Sequence, residues 1–314
     1  MTDPDVVIAE FMDEAAVESL SEEFDVLYNP ALVDDRTALI AHLAGARALV
    51  VRNRTIVDAD LLAAAPELVV VGRLGVGMDN IDTTACEALG IAVRPATGAN
   101  TAAVAEYVIA AILVLTRGVF DSTDRVADGS WPRTDLLGGE VGDRTLGLIG
   151  LGAIASEIAG RAQGLSMNVI AHDPYLEGTD PAWRNVTRMS FDDVVSQADA
   201  VSIHVPLTAE TQNLLDSDTI AGMRRGSILI NTSRGGIVDE DAVVDALRTG
   251  QLGGAAIDVF AIEPVTAATG ARFFDTPNLI ATPHIAGITR ESNARVGKMT
   301  ADNIRQHLRT GHQQ

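Results

Sequence analysis

One cysteine, Cys86, stands in 314 residues. No disulfide can form within the chain, and a reducing compartment is the simpler expectation. Aromatic residues supply only 4%, and the apolar 47% is mostly Val, Ile, Leu and Ala. That balance disfavours an aromatic-rich β-sandwich and suits α/β layers with parallel strands. Lysine is almost missing: Lys298 is the only one, and every other basic residue is an arginine. Basic residues number 23 against 43 acidic, a net charge of −20. A field of that sign repels nucleic acid and anionic membrane, so neither is expected as a partner. An acidic, lysine-poor composition fits either salt adaptation or a GC-rich genome. Long apolar runs are absent too. The longest, TAAVAEYVIAAILVLT at 101–116, carries Glu106 and falls short of the roughly 20 residues a membrane span needs. The N-terminal MTDPDVVIAEF lacks the basic segment and apolar core of a secretory signal. The expectation is a soluble, cytoplasmic protein.

What is present is rhythm. A chain of this length exceeds the usual size of one core, which predicts two domains. DVVIAEF (5–11), ALVVRN (48–53), LVVVGR (68–73) and IAVRPA (91–96) have the β-branched character of strands, with helical spacing between them. From residue 145 the alternation returns in TLGLIG, NVIAHD, AVSIHV, SILINTS, GGAAIDVF and NLIATPH. Two copies of an alternating βα pattern predict an α/β fold of two doubly wound parallel-sheet domains. The long helical patterns at 101–117 and 289–309 stand where the chain could cross between the sheets. The first domain is therefore expected to be discontinuous, 1–98 plus 286–314, with a second, 99–285, inserted.

Within TLGLIGLGAIASEIA (145–159) the run from Gly150 to Ala155 directly follows a strand and opens a helix. It fits G-x-G-x-x-G/A: Gly150 for a tight turn, Gly152 for close approach of a pyrophosphate, Ala155 for close helix–strand packing. Ala153 and Ile154 then begin a helix whose N–H groups and positive dipole end suit phosphate. Asp173 follows about 20 residues after Gly152, where an acid accepts ribose hydroxyls and repels a 2′-phosphate, so NAD is favoured over NADP.

Three charged residues fall at ends of predicted strands in the same half: Arg234 after SILINTS, Glu263 in DVFAIEP and His284 in TPHIAG. Taken singly, each has a plain structural explanation: a paired arginine, a solvated glutamate, a hydrogen-bonded histidine. In a doubly wound sheet, however, carboxyl ends of strands face the ligand crevice, which can bring the three together. Arginine is rarely buried unpaired, so an anion should meet Arg234. No metal site is expected: His307 and His312 lie off one helical face, and no HExxH occurs.

These stretches carry a resemblance. GLIGLGAIASEIA, INTSRGGIVDEDAV, GGAAIDVFAIEP and TPHIAG are similar, in order and spacing, to motifs of the D-isomer-specific 2-hydroxyacid dehydrogenase family. The resemblance implies a Rossmann cofactor domain inserted into a flavodoxin-like substrate domain, with catalytic Arg234, Glu263 and His284. It implies cofactor contacts at Gly150, Gly152, Ala153, Ile154, Asp173, Val205, Thr232, Ser233, Arg234, Asp258 and His284, with Asp258 near the nicotinamide amide. It implies a backbone cradle for the substrate carboxylate at Val76 and Gly77, domain closure over the substrate, and a homodimer. Two departures stand in the glycine loop: Ala153 replaces the family's usual arginine, removing a phosphate contact, and Ala155 replaces the third glycine.

Basic residues in the substrate half are informative against so acidic a background. Arg52 and Arg54 in VRNRT, Arg73 in GRLGVGMDN and Arg133 in SWPRTD are candidates to surround a second anionic group of the substrate; surface salt bridging is the competing explanation. EFMDEAAVESL, RNRT, GRLGVGMDNID and PHIAGITRESN resemble the phosphoglycerate dehydrogenase and, more closely, the (S)-sulfolactate dehydrogenase branches. The expected substrate is a doubly anionic 2-hydroxy acid, sulfolactate or 3-phosphoglycerate. The alternatives are a general hydroxypyruvate/glyoxylate reductase and an NADH-sensing corepressor-like binding protein. Formate dehydrogenase is disfavoured, because that branch pairs its histidine with Gln where this chain has Glu263.

Overall fold

The computed structural model describes residues 4–310; His312 lies outside them. Two compact units result. One comprises the described residues up to Asn100 with those from Ile288 onward, the other Thr101–Gly287. The chain thus passes between units two residues later, on each crossing, than the sequence boundaries of 98/99 and 285/286.

In the first unit the buried β-branched runs form β1 (Val6–Ile8), β2 (Val26–Tyr28), β3 (Ala48–Val51), β4 (Val70–Arg73) and β5 (Ala92–Pro95). They pair in the order β2-β1-β3-β4-β5, every pair parallel, the flavodoxin-like arrangement. Helices start where an aspartate can satisfy open N–H groups: Asp35, Asp58 and Asp82 accept from Ala38, Leu61 and Ala85. One face of the sheet packs Leu49, Val51 and Val71 against Leu39, Leu43 and Leu61. The other packs Ile8, Val50 and Val70 against Val296, Ile304 and Leu308 of the helix Arg290–Thr310. Spacings of four and eight put those three residues on one stripe; burying each contributes about 1.5–3 kcal/mol.

In the second unit come β6 (Thr145–Ile149), β7 (Asn168–His172), β8 (Thr187–Arg188), β9 (Ala200–Ile203), β10 (Ser227–Asn231), β11 (Leu252–Ile257) and β12 (Leu279–Ala281). Their order is β12-β11-β10-β9-β6-β7-β8, again all parallel. That is the Rossmann order with one strand added, and it reverses direction between β6 and β9. Helix Thr101–Arg117 covers one face through Val104, Val108 and Ile112, packed with Leu146 and Leu148. Val194, Val243 and Leu247 cover the other with Ile149, Val201 and Leu229.

Two strands escape the sequence pattern. β2 is a partly exposed edge strand and β8 an exposed pair of residues at the opposite sheet's edge. β2, Val-Leu-Tyr between Asp25 and Asn29, and β8, Thr-Arg, are shorter than the roughly four to eight residues that mark a strand in sequence.

Candidate active site

The crevice of a doubly wound sheet opens where strand order reverses, here between β6 and β9. Directly after β6, Gly150 adopts φ +86°. A Cβ there would lie 2.6 Å from the His204 carbonyl oxygen and 2.9 Å from Val205 Cγ1. No other residue fits, and Val205 is thereby placed against the loop. Gly152 caps the helix Ala153–Gly164 and has open space around it. The N–H groups of Ala153 and Ile154 begin that helix's first turn, which has no intrahelical acceptors.

Asp173 follows β7 and is held on both oxygens. Leu151 N–H donates to Oδ2 at 2.9 Å; Tyr175 and Leu176 N–H donate to Oδ1 at 3.0 and 3.1 Å. The acid expected at the ribose is thus tied to the glycine loop itself. At the end of β10, the buried Asn231 accepts the Ser233 N–H and donates to the Arg234 carbonyl, while Ser233 Oγ donates to the Ile203 carbonyl. Thr232 Oγ1 is buried without a hydrogen-bond partner, a cost a cofactor hydroxyl or phosphate would relieve. Together these groups fit a dinucleotide.

The charged trio is assembled at the same strand ends. Glu263 Oε2 lies 2.8 Å from His284 Nδ1, and Oε1 accepts the Phe260 N–H at 2.9 Å. Burial pushes the Glu263 carboxyl upward, but the hydrogen bonds from His284 and Phe260 and the charges of His284 and Arg234 outweigh it and hold it below its ordinary range. An ionised carboxylate only accepts, so Nδ1 carries the proton and turns Nε2 away from Glu263. The arginine joins them because Gly235 packs on the Glu263 loop: a Cβ would sit 1.9 Å from the Phe260 carbonyl oxygen.

His284 has φ +55°, a left-handed conformation that costs a non-glycine residue about 1–2 kcal/mol. Asp258 holds it there. The Asp258 carbonyl accepts the His284 N–H at 2.8 Å, and its buried carboxylate accepts the Ile285 and Ala286 N–H groups, also at 2.8 Å.

The substrate candidates lie in the first unit. Arg52 follows β3; its Nη2 donates to Asn293 Oδ1 at 2.6 Å, and burial pulls its pKa down against the opposing charge of Glu10. Arg54 pairs with Asp34, both well exposed. Arg73 ends β4, donating from Nη1 to the Leu74 carbonyl at 2.7 Å and lying over the turn that carries Val76 and Gly77. Arg133 is the exception, exposed in an irregular segment of the second unit.

Sequence reasoning missed Glu10. It is buried at the end of the β1 run and accepts the N–H groups of Arg52, Asn53, Arg54 and Thr55, fixing the RNRT turn. An acid closing an apolar strand was the available signal. Also missed was His204, hydrogen-bonded to Ser202 Oγ at 2.8 Å, whose pKa burial pushes down to about 3. Among the described residues no group of three or more His, Cys, Asp or Glu is placed to hold a metal. No described helix is long and apolar enough to cross a membrane.

A glycine loop, the acid Asp173 and an Arg/Glu/His cluster at the strand ends are the arrangement expected of an NAD-linked oxidoreductase. The family model for the D-isomer specific 2-hydroxyacid dehydrogenase NAD binding domain matches residues 109–286. A relative, (S)-sulfolactate dehydrogenase of Chromohalobacter salexigens, is 53% identical over 97% of this chain and 98% of its own. D-3-phosphoglycerate dehydrogenase of Mycobacterium leprae is 38% identical over 96% of this chain but 56% of its own, so the chain spans about half that relative's length. The solved TT0316 protein of Thermus thermophilus superposes with a TM-score of 0.87 at 32% identity, covering 97% of each chain. The chain belongs to the D-isomer specific 2-hydroxyacid dehydrogenase family, and its cofactor is NAD.

Proposed function

We propose that the protein interconverts a doubly anionic 2-hydroxy acid and its 2-oxo acid, with (S)-sulfolactate ahead of 3-phosphoglycerate. The observation that carries the reading is the 53% identity, over nearly both full lengths, to a (S)-sulfolactate dehydrogenase. The two cations Arg52 and Arg73, at strand ends of the first unit, support it: lactate or glycerate offers them no second anion. The working form is a cytoplasmic homodimer, as the family resemblance suggests.

The loop from Gly150 to Ile154 and Asp173 would hold NADH, which would supply the hydride for C2. His284 Nε2 delivers the proton to the carbonyl oxygen, or removes the hydroxyl proton in reverse. Glu263 fixes the tautomer and stabilises the imidazolium. Arg234 offers a planar fork to the substrate carboxylate and 2-oxo group and stabilises the developing alkoxide. Val76 and Gly77 present backbone N–H groups to the carboxylate.

The test is NADH oxidation with sulfopyruvate, phosphohydroxypyruvate, hydroxypyruvate, glyoxylate and pyruvate, at low and high salt. A preference for sulfopyruvate that Arg52→Ala and Arg73→Ala abolish supports the reading. A preference for hydroxypyruvate or glyoxylate untouched by those changes makes the protein a general reductase. NADH binding without turnover of any 2-oxo acid favours the corepressor-like alternative.

A further inference from the structure

Helix Thr101–Arg117 supplies more than packing. Tyr107, half-buried on it, places its hydroxyl 2.6 Å from Thr282 Oγ1, and Thr282 Oγ1 lies 2.6 Å from Asp258 Oδ1. Proton counting gives the chain a direction. A carboxylate only accepts, and a threonine hydroxyl has one proton, so Thr282 donates to Asp258 and accepts from Tyr107. Burial pushes the Tyr107 phenol up; the Thr282 hydrogen bond opposes this and the Asp258 charge reinforces it, with a net rise. The phenol therefore stays a donor throughout the working range.

The receiving carboxylate is the one that holds His284 in its left-handed conformation. Oδ1 takes Thr282 and the Ile285 N–H, whereas Oδ2 takes the Ala286 N–H. Two donors on Oδ1 fill its two acceptor positions, which directs a further donor to Oδ2.

We propose that Tyr107 is a positioning residue for the reaction: acting through Thr282, it orients the Asp258 carboxylate so that Oδ2 meets the nicotinamide carboxamide while the 282–286 segment holds His284. The proposal rests on the reading that Asp258 faces the nicotinamide and His284 exchanges the proton. Tyr107 touches neither cofactor nor substrate in this scheme; its effect passes entirely through Thr282.

The test compares NADH with ADP-ribose, which lacks the nicotinamide ring, by titration against wild type, Tyr107→Phe, Thr282→Val and Thr282→Ser. Loss of the neutral Tyr107–Thr282 hydrogen bond predicts NADH binding weakened about 3- to 10-fold in Tyr107→Phe; Thr282→Val, which also loses the bond to the Asp258 carboxylate, weakens it at least as much. ADP-ribose binding is unchanged, and Thr282→Ser, which keeps the hydroxyl, behaves as wild type. The double variant Tyr107→Phe/Thr282→Val is no worse than Thr282→Val alone, because the two act in series. Equal weakening of NADH and ADP-ribose binding overturns the proposal, as does unchanged NADH binding in Tyr107→Phe. The dehydrogenase reading fails separately, through absence of turnover in a wild type that still binds NADH.

Discussion

Oε2 of Glu263 lies 2.8 Å from Nδ1 of His284, and the other oxygen of the same carboxylate is held by the Phe260 N–H. A carboxylate fixed at both oxygens fixes the imidazole, and the proposed reaction assigns proton exchange to Nε2. His284→Ala should therefore lower kcat by about 10²- to 10⁴-fold, the usual value of a positioned acid–base group. Glu263→Gln, which keeps the shape but not the charge, should cost less. Steady-state reduction of the preferred 2-oxo acid by the two variants gives the comparison; equal kcat in wild type and His284→Ala would remove His284 from the chemistry.

The same pair makes stability depend on pH in a defined direction. The Glu263 carboxyl titrates below its ordinary value in the folded protein. Its contribution is therefore complete above the ordinary carboxylate value and is lost as pH falls through the lowered folded one. Wild type should lose its advantage over Glu263→Gln across that acidic window. Urea midpoints of both proteins through the acid range provide the check, and parallel pH curves would contradict it.

His204 acts over a different window. Its folded pKa of about 3 lies below the ordinary 6.5, so between those values the unfolded chain binds the extra proton. Stability is greatest above pH 6.5 and falls as the pH is lowered, with a limiting slope of roughly 1.4 kcal/mol per pH unit from this residue. His204→Asn should flatten the curve between neutral and mildly acidic pH. Identical slopes for the two proteins would show that the partly buried imidazole takes up its proton without opening the fold.

Gly235 makes a prediction of a steric kind. A methyl at this position would meet both carbonyl atoms of Phe260, at 1.9 and 2.0 Å, and main chain cannot swing aside as a long side chain can. Gly235→Ala should cost about 1–3 kcal/mol of stability. It should also separate Arg234 from Glu263, with a kcat loss on the order of 10²-fold for a displacement near 1 Å. Thermal unfolding and kinetics on the same preparation test both halves.

Much of the site was legible because its signals are local. The glycine loop, Asp173 and the three charged strand ends each sit beside a recognisable strand, and parallel topology then brings them to one edge. What was illegible depends on residues far apart in the chain. Tyr107 and Thr282 are 175 positions apart, and Arg52 reaches Asn293 across 241. Nothing in the neighbourhood of either residue announces its partner. Arg54 shows the converse: the composition made it a substrate candidate, while the fold pairs it with exposed Asp34. The edge strands β2 and β8 were missed because segments of three and two residues are too short to show a strand pattern.

Transfer of label tests the central claim most directly. NADH deuterated at the hydride-donating position is incubated with sulfopyruvate and, in parallel, phosphohydroxypyruvate, and the products are examined by mass spectrometry. The account predicts a 2-hydroxy acid carrying one deuterium at C2 from the wild type, with formation suppressed in His284→Ala. Absence of labelled hydroxy acid from either 2-oxo acid, in a protein shown to bind NADH, would contradict it.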